Sequence, residues 1–480
     1  MILMLNSLVP MVGFIFLYYL MAERYRVWIL LAASVTFIAF LSVTVALFST
    51  LFAVMNFALG NVLQSAFINN KKSRPTLFWL SIFLNVGILA FFKYFHFFTG
   101  DLSTGIFASG IYSEIPYGHV MVPLGISYYT FQSLGYLIRI NRGSEAAEKK
   151  FEVFATYLLF FPKFLSGPVA RTNHLLPQLH APEKFKQTNL EAGSRLVVWG
   201  LFKKLVIADN LYGPVNEVYS NMADYSGLPL LIVFMVQIIY IYCDFSGYTD
   251  IALGLAKIFG INLVDNFNRP LLARNISEFW RRWHISLSSW CNDFIYNPFI
   301  VKYRQFGNTA VVAGIFLTFF IVGIWHGANW TFVVLGLLQG VAIVYEFKTK
   351  KYRLKFAARY SKSLVNCISR LLVFLFMTFS MIFFFSDSLT DAWYFITHMF
   401  SGIKSGEATL DFIQDKTRFF SALVIFALLF IIQMKNEKGK NLPAAFLSQH
   451  IAIRWVGYAL CMLMIILFYN GTYPFYYMRF

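Results

Sequence analysis

Uncharged apolar runs of roughly 20 residues recur along the whole chain, parted by short polar or basic stretches, and a helix needs about that length to cross the hydrocarbon core of a bilayer. Inside lipid every backbone N–H and C=O must be satisfied within the segment or within a closed barrel, so runs of this length read as helices. About eleven or twelve are expected, the last ending before Tyr469. The balance of 58% hydrophobic to 13% charged residues excludes a soluble class, in which about a quarter of residues are charged. Residues 1–21 carry no basic residue ahead of the apolar run and no small-residue cleavage site, so they read as a retained helix rather than a signal peptide. The 55 Phe and 27 Tyr fit packing against lipid and seating at headgroups, which says nothing about chemistry.

A formal charge of +17 raises the question of nucleic acid, but the basic residues sit in short clusters between apolar runs, as membrane orientation requires, and no nucleic acid is expected. Arg24 and Arg26, then Lys71, Lys72 and Arg74, then seven basic residues without an acidic one over 348–362 are expected to face the cytoplasm. The stretches 101–114 and 387–415, acidic or nearly free of Lys and Arg, are expected outside. Threading this alternation puts the N-terminus outside, residues 27–68 in a two-helix hairpin and residues 77–92 returning outward. Cys243, Cys291, Cys367 and Cys461 show neither disulfide nor metal spacing and are expected to pack, so no metal site is predicted.

Between about 120 and 346 the apolar segments shorten, are broken by Gly and Pro, and carry His, Arg, Asp and Lys. Irregular backbone at membrane depth survives only where protein or a wet cavity satisfies it, so this region reads as the functional core. With no internal repeat and no low-complexity linker, residues 1–480 are taken as one domain.

Three segments there carry chemistry. His326, in Gly323-Ile324-Trp325-His326-Gly327-Ala328-Asn329-Trp330, joins two apolar runs. An ionisable group held there is a functional candidate by default, the plainer reading being a hydrogen-bonded structural histidine. Neutral imidazole takes a proton from an attacking hydroxyl near neutral pH, and Trp325 and Asn329 stand beside it as candidate site-lining groups. Read as one helix, residues 275–290 put Phe279, Trp283, Leu287 and Trp290, with Phe294 beyond, on an apolar stripe and Arg281, His284 and Ser288 on the neighbouring face. An interfacial amphipathic helix accounts for the same pattern. Residues 242–250 read as a polar break between apolar runs, in which Asp244 and Asp250 bind a cation, orient an imidazole or cap a helix. Residues 123–132 and 161–168 are further broken segments suited to re-entrant loops. The G-x-S-x-G elbow, the phosphate loop and H-E-x-x-H are all missing, and His96, His119, His174, His180, His398 and His450 receive no role.

Together these segments resemble the membrane-bound O-acyltransferase family, in its bacterial alginate O-acetyltransferase branch. The resemblance runs from about Pro123 to Tyr345 and rests on F-W-x-R-W-H-I-S-L-S at Phe279 to Ser288 and W-H-G at Trp325 to Gly327, with a weaker likeness in the aromatic ending at 474–480. It implies an all-α polytopic fold, a ring of tilted helices around a central tunnel. It also implies that His326 takes the place of the family's central catalytic histidine and His284 that of its second, more variable polar residue. No bound cofactor is implied. The donor that the resemblance implies is a thioester, acetyl-coenzyme A or an acylated carrier protein, presented from the cytoplasm. The resemblance further implies a hydroxyl acceptor on a polymer, lipid or protein, here an envelope or secreted polysaccharide, and an extracytoplasmic acetyltransferase partner that completes delivery from the bacterial cytoplasmic (inner) membrane. One stretch departs from that branch: Asn292-Asp293 and Asn297-Pro298-Phe299-Ile300 stand where it has Arg-Asp and Pro-Leu-Gly-Gly, which leaves the donor or partner open to difference. The competing readings are a D-alanyl transfer protein of teichoic acid modification, a transporter or flippase, and a scaffold subunit without chemistry.

Overall fold

The computed structural model describes residues 8–102, 123–402, 410–471, 473 and 475–476. Most of the expected outer stretch 101–114, part of 387–415 and most of the aromatic ending therefore lie outside the described residues. Among those described, nine helices are long and apolar enough to cross a membrane: Glu23–Leu41, Val43–Ile68, Arg74–Tyr94, Leu228–Ile258, Asn308–His326, Trp330–Ala357, Lys362–Phe385, Lys416–Glu437 and Ile451–Phe468. The chain is a polytopic helical membrane protein. Other apolar runs form shorter helices, such as Ile126–Asn141 with 16 residues and Phe151–Leu159 with 9. At about 1.5 Å per residue these rise only about 14–24 Å, short of the hydrocarbon thickness.

The chain divides into two compact units. One comprises residues 3–194 and 252–264. It holds the predicted hairpin as Glu23–Leu41 and Val43–Ile68, turning at Ser42, whose side chain accepts from the Val45 N–H. Residues 123–132 and 161–168 are not open loops here. Gly125 takes φ +75 at the start of Ile126–Asn141, where a Cβ would lie 2.5 Å from the Phe164 carbonyl oxygen. The buried Lys163 donates to Gln132 Oε1 at 2.6 Å.

The other unit comprises residues 195–251 and 265–479. The expected polar break at 242–250 is absent, because Leu228–Ile258 runs through it as one helix. Its polar side chains are met instead by two lysines of the π-helical turn Lys203–Ala208. Lys203 Nζ lies 2.8 Å from Asp250 Oδ2 and donates to Ser246 Oγ at 2.9 Å, while Lys204 Nζ lies 2.7 Å from both Asp244 Oδ1 and Asp209 Oδ1. Gly200 permits this approach, since a Cβ there would stand 2.5 Å from the Gly247 carbonyl oxygen. Near the chain's end the Tyr476 N–H donates to Asp244 Oδ2 at 2.9 Å, and Lys204 Nζ lies 4.6 Å from the centre of the Phe475 ring.

Candidate active site

The segment expected to be one helix over 275–290 is two. Ile276–Trp280 and Ile285–Cys291 are separated by a turn in which His284 takes φ +45. The turn is imposed from 18 residues upstream. Phe267 bridges Trp283, the Asn268 N–H donates to the Arg282 carbonyl, and the Ile285 N–H donates to that of Asn266. Asn266 Oδ1 also accepts from the Ser286 N–H and hydroxyl and lies 3.2 Å from His284 Nδ1. These bonds offer the backbone an alternative to the next helical turn. Arg281, His284 and Ser288 consequently do not share a face.

Three helices frame the site. Asn308–His326 and Trp330–Ala357 pack closely, because Gly323 and Gly336 face one another and a Cβ on Gly336 would lie 3.2 Å from the Gly323 Cα. Small residues at such crossings allow helix backbones to meet. Asn329 caps the second helix by accepting from the Thr331 N–H, and its own amide donates to the Asp387 carbonyl. Lys362–Phe385 completes the frame.

Two cavities run along these helices. The larger, about 2040 Å³, is bordered by Arg274, Arg281, Lys350 and Arg353 as well as by Ser288, Asn292 and Tyr296. The smaller, about 30 Å³, is bordered by His326, Trp280, Trp283, Gln339, Met377, Met381 and Phe384 among others. Trp280, Phe319 and Val322 border both. On Asn308–His326 the bordering residues run Val311, Ile315, Thr318, Val322, His326, three or four apart, a single helical face. Its 19 residues rise about 28 Å, so the stripe leads across a bilayer with His326 at its far end.

His326 is buried among aromatic rings: Trp325 at 5.0 Å, Phe384 edge-on at 5.4 Å and Phe332 stacked at 6.2 Å. Gly327 is required beside it, because a Cβ there would overlap the Phe332 ring. His284 borders neither cavity. It lies behind Trp325, ring centres 5.9 Å apart, with Phe245 at 4.9 Å. Burial pushes its pKa down to about 3, which makes it a poor proton acceptor near neutral pH.

A buried histidine at the end of a cavity stripe, bordered by Trp280 and Trp283 of the F-W-x-R-W-H motif, invites comparison with known proteins. The model of the membrane-bound O-acyltransferase family matches residues 144–386. The probable alginate O-acetylase AlgI of Pseudomonas aeruginosa is 32% identical over 395 residues, 81% of this chain and 72% of that protein. The chain belongs to the membrane-bound O-acyltransferase family. A peptidoglycan O-acetyltransferase of Helicobacter pylori is 28% identical over 76% of this chain and 72% of its own length. A teichoic acid D-alanyltransferase of Streptococcus thermophilus is 30% identical over 46% of this chain and 56% of its own. As a membrane-bound O-acyltransferase the chain is an enzyme, and the transporter, flippase and scaffold readings are set aside.

Of the other candidates, Arg281 and Ser288 border the larger cavity. Trp325 and Asn329 border neither, and Asp244 and Asp250 are held by Lys204 and Lys203. Sequence reasoning missed Gln339, Trp280, Glu346 and Asn266. Gln339 carries a signal, an amide inside the uncharged run 330–345, and it accepts from the Trp280 indole N–H at 3.1 Å. Glu346 accepts from the N–H groups of Ile276 and Ser277, fixing the start of Ile276–Trp280. Asn266 carries none, because its partners are distant in sequence.

Proposed function

We propose that this enzyme moves an acetyl group from a cytoplasmic thioester, acetyl-coenzyme A or an acylated carrier protein, to a hydroxyl of an envelope or secreted polysaccharide, with His326 as the base. The observation that carries the reading is the stripe of cavity-bordering residues from a basic mouth at Arg274, Arg281, Lys350 and Arg353 to His326. Cationic side chains at the mouth suit the phosphates of a coenzyme A or phosphopantetheine arm. The excess of Lys and Arg over 348–362 supports a mouth that faces the cytoplasm, in a bacterial inner membrane.

A ring nitrogen of His326 takes the acceptor's hydroxyl proton as its oxygen adds to the thioester carbonyl. The tetrahedral intermediate then collapses with loss of the thiolate, which recovers the proton from the imidazolium. A positioned base of this kind contributes about 10²–10⁴-fold, about 3–5 kcal/mol of barrier. His284, turned away from the cavities and packed on Trp325, acts as a positioning residue. Acetyl is favoured over D-alanyl because, among the described residues bordering the smaller cavity, there is no carboxylate to receive an ammonium. Relatives named for alginate and for peptidoglycan O-acetylation support a polysaccharide acceptor. Delivery to it is completed, in this proposal, by an extracytoplasmic acetyltransferase partner.

The test compares acetyl esters on envelope glycans from cells carrying wild type, His326→Ala and His326→Gln, with membrane abundance and detergent melting checked. Esters should fall by about 10²-fold or more. Wild-type levels with either stable variant overturn the assignment.

A further inference from the structure

Trp280 sits where the two cavities meet and has no task in the mechanism above. Its indole N–H donates to Gln339 Oε1 at 3.1 Å, and Gln339 in turn donates from Nε2 to Ser380 Oγ at 2.9 Å. Three separate helices thus hold one indole in place. Phe319 closes on it edge-to-face, ring centres 5.2 Å apart. Beyond this wall the cavity against His326 measures about 30 Å³, room for one small group, since a single water needs upwards of about 10–15 Å³ by this kind of measure. Only His326's side of the wall offers the base, so the carbonyl under attack must pass Trp280, and whatever chain the carbonyl bears must fit with it.

We infer that Trp280, locked by Gln339 and Ser380, is the acyl-length selector of this enzyme: it admits a two-carbon acyl group to His326 and turns longer ones back. The inference rests on the acetyl-transfer reading above and deepens it. A fixed indole suits the task better than an aliphatic residue. Its orientation is set by a hydrogen bond that would be left unpaired if a longer chain pushed it aside, and an unpaired buried donor is costly. Discrimination by one methylene in an apolar pocket is about 10–200-fold, so two methylenes should give a nearly complete preference.

The experiment supplies inverted membrane vesicles containing the full chain with an equimolar mixture of acetyl-, propionyl- and butyryl-coenzyme A, and counts each ester on the vesicle glycans by mass spectrometry. Competition in one vessel reads the ratio of kcat/KM values directly. Wild type should form acetyl esters with propionyl at least about 10-fold lower and butyryl lower still. Trp280→Ala should raise the butyryl-to-acetyl ratio by 10-fold or more. Gln339→Leu, which keeps the indole and removes its tether, should raise it less, and Trp280→Phe serves if the alanine variant fails to insert. Acetyl esters formed with an unchanged ratio in all inserted variants would overturn the inference and leave acetyl transfer standing, as would a wild type that accepts butyryl equally. Absence of any acetyl ester from wild-type vesicles would instead remove the acetyl-coenzyme A reading, and the selector with it.

Discussion

Replacing Gly336 with Ala should cripple turnover far more than it harms folding. The added Cβ would come closer than 3.0 Å to the Phe319 carbonyl oxygen and 3.2 Å from both the Phe319 carbonyl carbon and the Gly323 Cα. All three are backbone atoms of Asn308–His326, so no side chain can swing away. Restoring contacts of ordinary length requires Asn308–His326 and Trp330–Ala357 to part by about 1 Å. Overpacking of this kind costs about 1–3 kcal/mol, which a polytopic protein of this size survives. The same separation draws Gln339 on one helix away from His326 on the other, and a misplacement of about 1 Å in a positioned site costs on the order of 10²-fold. The assay pairs acetyl-ester formation in membranes with thermal melting in detergent. Gly213→Ala is the control, because nothing lies within 4 Å of a Cβ there and Ala in place of a helical Gly is neutral or mildly stabilising. Gly336→Ala with wild-type turnover would refute the close-packed account of these two helices.

Lys204→Met should destabilise the protein by about 3–5 kcal/mol, since it strips the cation from the buried Asp209 and Asp244; an unchanged detergent melt would sink this. Burial raises the Asp209 carboxyl above its ordinary range, with Lys204 opposing, so its contribution to stability is present at acid pH and fades as pH rises through the raised value. Asp209→Asn should flatten that decline, and an identical pH slope of melting would count against it. His284→Ala and Asn266→Ala should both lower kcat several-fold while sparing the donor KM, as expected of groups that orient Trp325 and its neighbours from outside the cavities; complete loss in a stable His284 variant would promote that residue to the chemistry. With the exposed Cys367 first replaced by Ser, cysteines placed in 348–362 should resist a membrane-impermeant thiol reagent in intact cells and those in 387–415 should react; the reverse labelling inverts the topology.

The sequence alone determined the class of fold, because the length of an uncharged run is a local property that the bilayer tests directly. The hairpin at 27–68 and the helices on either side of His326 follow from that one criterion. It also determined which histidines to examine, since the motifs around His284 and His326 are contiguous strings. Tertiary structure decided what each does. The backbone of 275–290 turns at His284 because Asn266, 18 residues upstream, satisfies Ser286 and lies against the imidazole, a pairing without a periodic signature. Asp244 and Asp250 became anchors for Lys204 and Lys203 rather than a polar break, because an ion pair between helices lets a charged stretch stay helical. Trp280 stood in its motif without a role, off the apolar stripe of its neighbours, until Gln339 and Ser380, 59 and 100 positions away by number, closed on it. Hydrophobic length acts along the chain and can be read there; hydrogen bonds between distant segments exist only once the helices have packed.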